Sequence, residues 1–94
     1  MSFLKTSTIT VEGEKIEIVQ LNALGHRQMM KAHANGDMFT AYAEVVKHGT
    51  RRWREKSPDE ILDELPTNVL QSLAEQVLDI SGLAAEELEA AEKN

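Results

Sequence analysis

The 94-residue chain contains no cysteine. That one absence excludes disulfide frameworks, thiol nucleophiles, iron–sulfur clusters and Cys-type zinc sites, and it fits a reducing cytoplasm. Aromatic residues make up only 4% of the chain (Phe3, Phe39, Tyr42 and Trp53), so any core must be mostly aliphatic. No apolar run approaches the ~20 residues of a membrane span, so no membrane partner is expected. The opening MSFLKTSTITVEG has no apolar core of a signal peptide. The five glycines (Gly13, Gly25, Gly36, Gly49 and Gly82) are scattered, and no glycine-rich phosphate loop or G-x-S-x-G elbow can be drawn from them. No residue pattern points to an enzyme, and no cofactor is implied.

What is present is charge, unevenly placed. Ten Lys and Arg stand against 16 Asp and Glu, a net charge of -6. Residues 1–54 carry eight basic and five acidic groups, a balance of +3, whereas residues 55–94 carry two basic and eleven acidic groups, a balance of -9. A basic knot (Arg51, Arg52 and Arg54, beside Lys47 and Lys56) stands just before the acidic part. The overall acidity argues against a general nucleic-acid binder.

The local patterns predict an α+β fold: an N-terminal β-hairpin packed on a small bundle of four to five short helices. Ile9 and Val11 alternate with threonines, and Ile16 and Ile18 with Lys15 and Glu17, as a half-buried strand pair requires. Gly13 supplies the turn of a hairpin over residues 5–20, with 5–11 paired to 15–20. Two strands alone are marginal, so a helix or partner chain must cover their apolar face. Asn22 caps a helix over about 22–34, which Gly36 stops. Asp37 caps another over 37–48, with Gly49 as its stop and Lys47 and His48 suiting the negative end of its dipole. Ser57-Pro58-Asp59-Glu60 combines a cap, a first-turn proline and a capping box, predicting a short helix over 58–64 that Pro66 ends. A longer helix over 66–80 presents Val69, Leu70, Leu73, Val77, Leu78 and Ile80 as a wide apolar face before Ser81-Gly82. Residues 1–83 thus read as a single domain, followed by an acidic Ala/Glu tail over 84–94, partly helical or disordered.

Candidate sites weigh light against simpler roles. His26 and His33 lie two helical turns apart, but nothing at a forcing spacing completes a zinc site, so surface or half-buried histidines are the better reading. Asp59, Glu60, Asp63 and Glu64 read as a solvated face, since acid–base chemistry needs two carboxyls in different environments. Arg51-Arg52-Trp53-Arg54 could bind phosphates and stack on bases. The favoured alternative packs Trp53 into the core while the arginines pair with the acidic helix beginning at Asp59. The apolar face of 69–80, with Ile61, Leu62 and Leu65, serves mainly as core. A part of it is available in principle for another subunit or an apolar client, and a homo-oligomer is expected.

The succession Trp53-Arg54, Ser57-Pro58-Asp59-Glu60-Ile61-Leu62, Leu65-Pro66, then Val69 through Leu83 and an acidic Ala/Glu tail resembles the tail assembly chaperones of long-tailed bacteriophages. The hairpin with its glycine turn and the following short helices are also similar to that family. The likeness spans most of the chain and is densest over residues 53–83, in capping and packing motifs rather than a catalytic signature. It implies a protein of the infected host's cytoplasm, absent from the mature virion. Such a protein coats the long helical tape measure protein and helps recruit tail-tube subunits. In many phages a programmed frameshift also makes a longer form whose added domain binds the tube protein, and this chain is similar to the short form. On this reading Val69, Leu73 and Val77, in a groove between the hairpin and helix 66–80, are the expected client contacts, with Met29, Met30 and Met38 as adaptable additions. Two other classes fit the residues less well: a structural tail-completion or connector protein of the virion, and a small DNA-binding regulator using the Arg51–Arg54 knot.

Overall fold

The computed structural model describes residues 3–83. The tail over 84–94 lies outside the described residues. Two strands, β1 (Thr6–Val11) and β2 (Glu14–Val19), are followed by four helices: α1 (Ala23–Ala34), α2 (Met38–Gly49), α3 (Pro58–Glu64) and α4 (Thr67–Ile80). The protein is therefore α+β, an antiparallel hairpin laid on a small helical bundle.

The hairpin turns on Glu12 and Gly13, both at positive φ (49° and 80°), the conformation a two-residue turn needs to match the twist of its strands. The register pairs Val11 with Glu14 and Ile9 with Ile16, which puts Ile9, Val11, Ile16 and Ile18 on one face. That face meets the helices, and Val11, Ile16 and Ile18 are buried there. The outer face carries Thr6, Thr8, Thr10, Lys15 and Glu17, all exposed.

Helix α2 is the hub and packs against α1, α3, α4 and β2. Ala41, Ala43, Val45 and Val46 on α2, Ile61 on α3, and Leu73, Ala74 and Val77 on α4 have no accessible surface. Burying that many aliphatic side chains, at roughly 25 cal/mol per Å² of apolar surface, is the main force holding the bundle. Gly49 closes α2, but it is not at positive φ. Its role is close approach, because a Cβ there would collide with both γ-methyls of Val77. Gly25 does the same for α1, where a Cβ would come within 2.6 Å of the His48 Cβ.

The caps form as their residues imply. The Asn22 side chain accepts from the Gly25 N–H at 2.7 Å, and the Asp37 carboxylate accepts from both the Thr40 N–H at 3.0 Å and its hydroxyl at 2.6 Å. Ser57 and Glu60 form a reciprocal capping box, with Pro58 in the first turn. At the far end of α4, the Ser81 hydroxyl donates to the Val77 carbonyl and accepts from the Leu21 N–H at 2.9 Å, tying the end of the bundle to the exit of the hairpin.

Candidate interaction surfaces

The basic loop after α2 is a built structural element. Thr50, completely buried, donates from Oγ1 to the Val46 carbonyl and accepts from the Trp53 N–H. Thr50 also pairs with Ile18 along the outer edge of β2. Trp53 is buried, as the packing reading expects. Its partners differ from that reading in one respect. Arg51 pairs with Glu17 at 3.1 Å and Arg52 with Glu14 at 3.4 Å, so two of the arginines bind the hairpin rather than the acidic helix α3. The reason is geometric: the Thr50–Ile18 bridge carries the next two residues along β2, beside its carboxylates. Arg52 also lies over the Trp53 ring, 5.4 Å from its centre. Lys56 does pair with α3, its ammonium 2.9 Å from Glu64.

Lys47 lies in the last turn of α2, as expected, and has a further role there. Its ammonium donates to the carbonyls of Arg54 and Lys56, both at 2.8 Å, and so clamps the loop closed from inside. A phosphate ligand would have to compete with these internal bonds, and a base could not stack on the buried indole.

The four carboxylates of α3 are exposed, and Glu60 and Glu64 among them are engaged locally. Hydrogen bonds from Ser57, backbone first and hydroxyl second, hold Glu60 below its ordinary value. Lys56 lowers Glu64, and Glu64 in turn raises Lys56. The Thr40 hydroxyl, with its backbone N–H, lowers Asp37. These shifts mark capping and pairing rather than a reactive pair, since in all three carboxyls the hydrogen bonds outweigh the opposing effect of burial. Among the described residues no three His, Asp or Glu side chains converge as a metal site would require. Burial chiefly lowers the pKa of His48, with Glu44 opposing and Lys47 and Arg54 adding to the shift.

The six apolar residues expected at a client groove are split by the fold. Leu73 and Val77 have no accessible surface, and Met29 is 3% exposed. Both α2 and the hairpin pack on α4, and Val77 lies against Gly49 of α2. A partner could touch Leu73 or Val77 only if the domain opened, and a glutamate at Leu73 would break the core rather than a contact. Val69 and Met38 are half-buried at the rim, and Met30 is 46% exposed. Among the described residues the large exposed apolar side chains are Phe3, Leu24, Met30 and Phe39. Phe39 and Leu24 were not singled out by pattern, because each lies within a helical stretch whose other apolar residues define the core face. Their exposure depends on which side of the α1–α2 pair the rest of the domain covers.

Among the described residues no helix is long and apolar enough to cross a membrane. No protein-family model matches the chain, and neither the curated proteins nor the solved structures include a match.

Proposed function

We propose that this chain is a tail assembly chaperone of long-tailed bacteriophages, which binds and solubilises the tape measure protein and helps recruit tail-tube subunits during tail assembly. The observation that carries the reading is the order of parts. A glycine-turn hairpin, two short helices, a Trp-containing basic loop, a Ser-Pro-capped short helix, a proline break and a long apolar helix follow one another as the resemblance implies. The exposed apolar side chains of α1 and α2 support the contact chemistry. Leu24, Met30 and Phe39 stand outward at roughly half exposure on helices otherwise dressed with polar groups. Isolated apolar side chains of this kind give weak single contacts, and many copies along one client would convert them into firm binding. The net charge of -6 keeps a coated complex soluble.

Co-expression with the tape measure protein of the same genome tests this directly. The client should move from the insoluble to the soluble fraction and co-purify with this chain. The double substitution Met30→Glu with Phe39→Ser, both at exposed sites, should return it to the pellet while the variant stays folded. A client equally insoluble with and without the wild-type chain removes the proposal. Mass spectrometry of purified particles separates the structural alternative, since a chaperone is absent from finished virions and a connector is present.

A further inference from the structure

The two edges of the hairpin are finished differently. The outer edge of β2 is covered by Thr50 and straddled by the Arg51–Glu17 and Arg52–Glu14 pairs. Among the described residues, β1 pairs with β2 and with no other strand. Its open edge carries none of the usual guards: residues 6–11 include no charge and no proline, and the register shows no bulge.

The hydrogen-bond phase of β1 defines what this edge offers. The Gln20 N–H donates to the Lys5 carbonyl at 2.8 Å, one step beyond the Thr6–Val19 pair. Lys5, Ser7, Ile9 and Val11 therefore spend their backbone groups on β2. The N–H and C=O groups of Thr6, Thr8 and Thr10 point to the open side. The three outward-bonding residues are identical, uncharged and evenly spaced about Thr8. Such an edge is complementary to itself.

We propose that β1 is a homodimer interface, in which a second copy of this chain adds its β1 antiparallel across a two-fold axis at Thr8 and builds a continuous four-stranded sheet. Two-fold symmetry requires an antiparallel, self-matching contact. With Thr8 opposite Thr8 of the second copy, Thr6 falls opposite its Thr10, giving three threonine pairs on the exposed face. The same register brings Lys5 within one residue of the second copy's Glu12, so opposite charges meet at both ends of the seam. It also carries Phe3, 95% exposed, to the second copy's hairpin turn. Helix α4 contacts both strands, and a two-fold axis through the sheet would set the second copy's α4 on the same face. The extended sheet also answers the marginal stability of an isolated two-stranded one. This inference does not depend on the chaperone reading.

The test is the mass of the purified full chain by light scattering or sedimentation at high micromolar concentration. The wild type should weigh twice the 10.5 kDa of one chain. Thr8→Pro removes an N–H that β2 does not use, so it should yield a monomer with the wild-type circular dichroism spectrum. Thr8→Lys sets two ammonium groups face to face on the axis and should also shift the protein to monomer, more so at low salt; it decides the matter if the proline variant fails to fold. Because the chain has no cysteine, Thr8→Cys reads the register. Residues opposed in a hydrogen-bonded pair lie ~5.5 Å apart, within disulfide reach, so oxidation should link the dimer. Thr10→Cys places its thiols ~13 Å apart along the seam and should not link. A monomeric wild type, a Thr8→Lys dimer as tight as the wild type, or equal cross-linking at positions 8 and 10 would each overturn the proposal. A foreign strand as the natural occupant of this edge would show up as the first of these.

Discussion

Helices α4 and α1 are both amphipathic and similar in length, but they are held in different ways. α4 buries Leu70, Leu73, Ala74, Val77 and Leu78, and it is met by α2 on one side and by both strands on the other. α1 buries only Gly25, Met29 and Ala32 and packs chiefly on α2. Large branched side chains fill the α4 interface, whereas α1 docks through a glycine, an alanine and one flexible thioether. The domain thus has a centre packed with branched side chains, formed by α2, α4 and the hairpin, and a lighter flank that carries exposed Leu24 and Met30. A fold built this way can offer apolar contacts on the flank without exposing the core that keeps it folded.

The sharpest way to break that comparison is truncation on both helices. Leu73→Ala should cost about 2–5 kcal/mol, because the fully enclosed site cannot collapse around the missing atoms. Leu24→Ala, at a residue 46% exposed, should stay within about 0.5 kcal/mol of wild type. Urea titration of the three proteins checks this, and similar costs at both sites would mean that α1 is as much core as α4. Next in size is Gly49→Ala. Its methyl has no space beside Val77, so it should destabilise by about 1–3 kcal/mol through overpacking. Adding Val77→Ala should recover part of that loss rather than add to it, and the double-mutant cycle measures the coupling. Strictly additive costs would show that the two helices do not meet as closely at this point as α2 and α4 are placed.

Much of this architecture is legible in sequence where the cause is local. The Glu12-Gly13 turn, the Asn22 and Asp37 caps and the Ser57–Glu60 box are each written within a few residues, and each forms at its expected place. The difficulties begin where the cause is non-local. Helical periodicity marks Val69, Leu73 and Val77 as apolar but does not say what covers them. Helix α2 and the hairpin together do, which takes Leu73 and Val77 out of any accessible groove. Charge proximity along the chain suggests α3 as the partner of the arginines, whereas the Thr50–Ile18 bridge delivers Arg51 and Arg52 to β2. Gly49 carries the signature of a helix stop, but its real constraint is a side chain far along the sequence, and no local pattern contains that.

The lighter flank should also depend more on its cap. Asn22→Ala removes the side-chain acceptor for the Gly25 N–H and should cost about 1 kcal/mol. Because α1 packs chiefly on α2, hydrogen exchange should quicken across α1 well before α4 responds. Equal loss of protection in both helices would mean that they open as one unit, and the distinction between centre and flank would then be one of packing alone.

The smallest expected effect reads the same boundary through pH. His48 sits where α1 closes on α2, its Cβ beneath Gly25, and burial there lowers its pKa from an ordinary 6.5. A lowered histidine pKa means that the proton binds the unfolded chain more readily than the folded one. Stability should therefore be complete above about pH 6.5 and fall as the pH drops through that value toward the folded pKa. The carboxyls of Asp37, Glu60 and Glu64, also held low, act in the same direction but only in the more acidic range where unfolded carboxyls begin to protonate. Between pH 8 and 5.5, then, the decline in melting temperature due to these groups should be slight and should belong to His48, so that His48→Gln flattens it. Combining Asn22→Ala with wild-type His48 should flatten it as well, because a frayed α1 no longer buries the imidazole. A slope that survives Asn22→Ala would show that the burial of His48 comes from α2 and its other neighbours, and that α1 is held there more firmly than its three small buried contacts suggest.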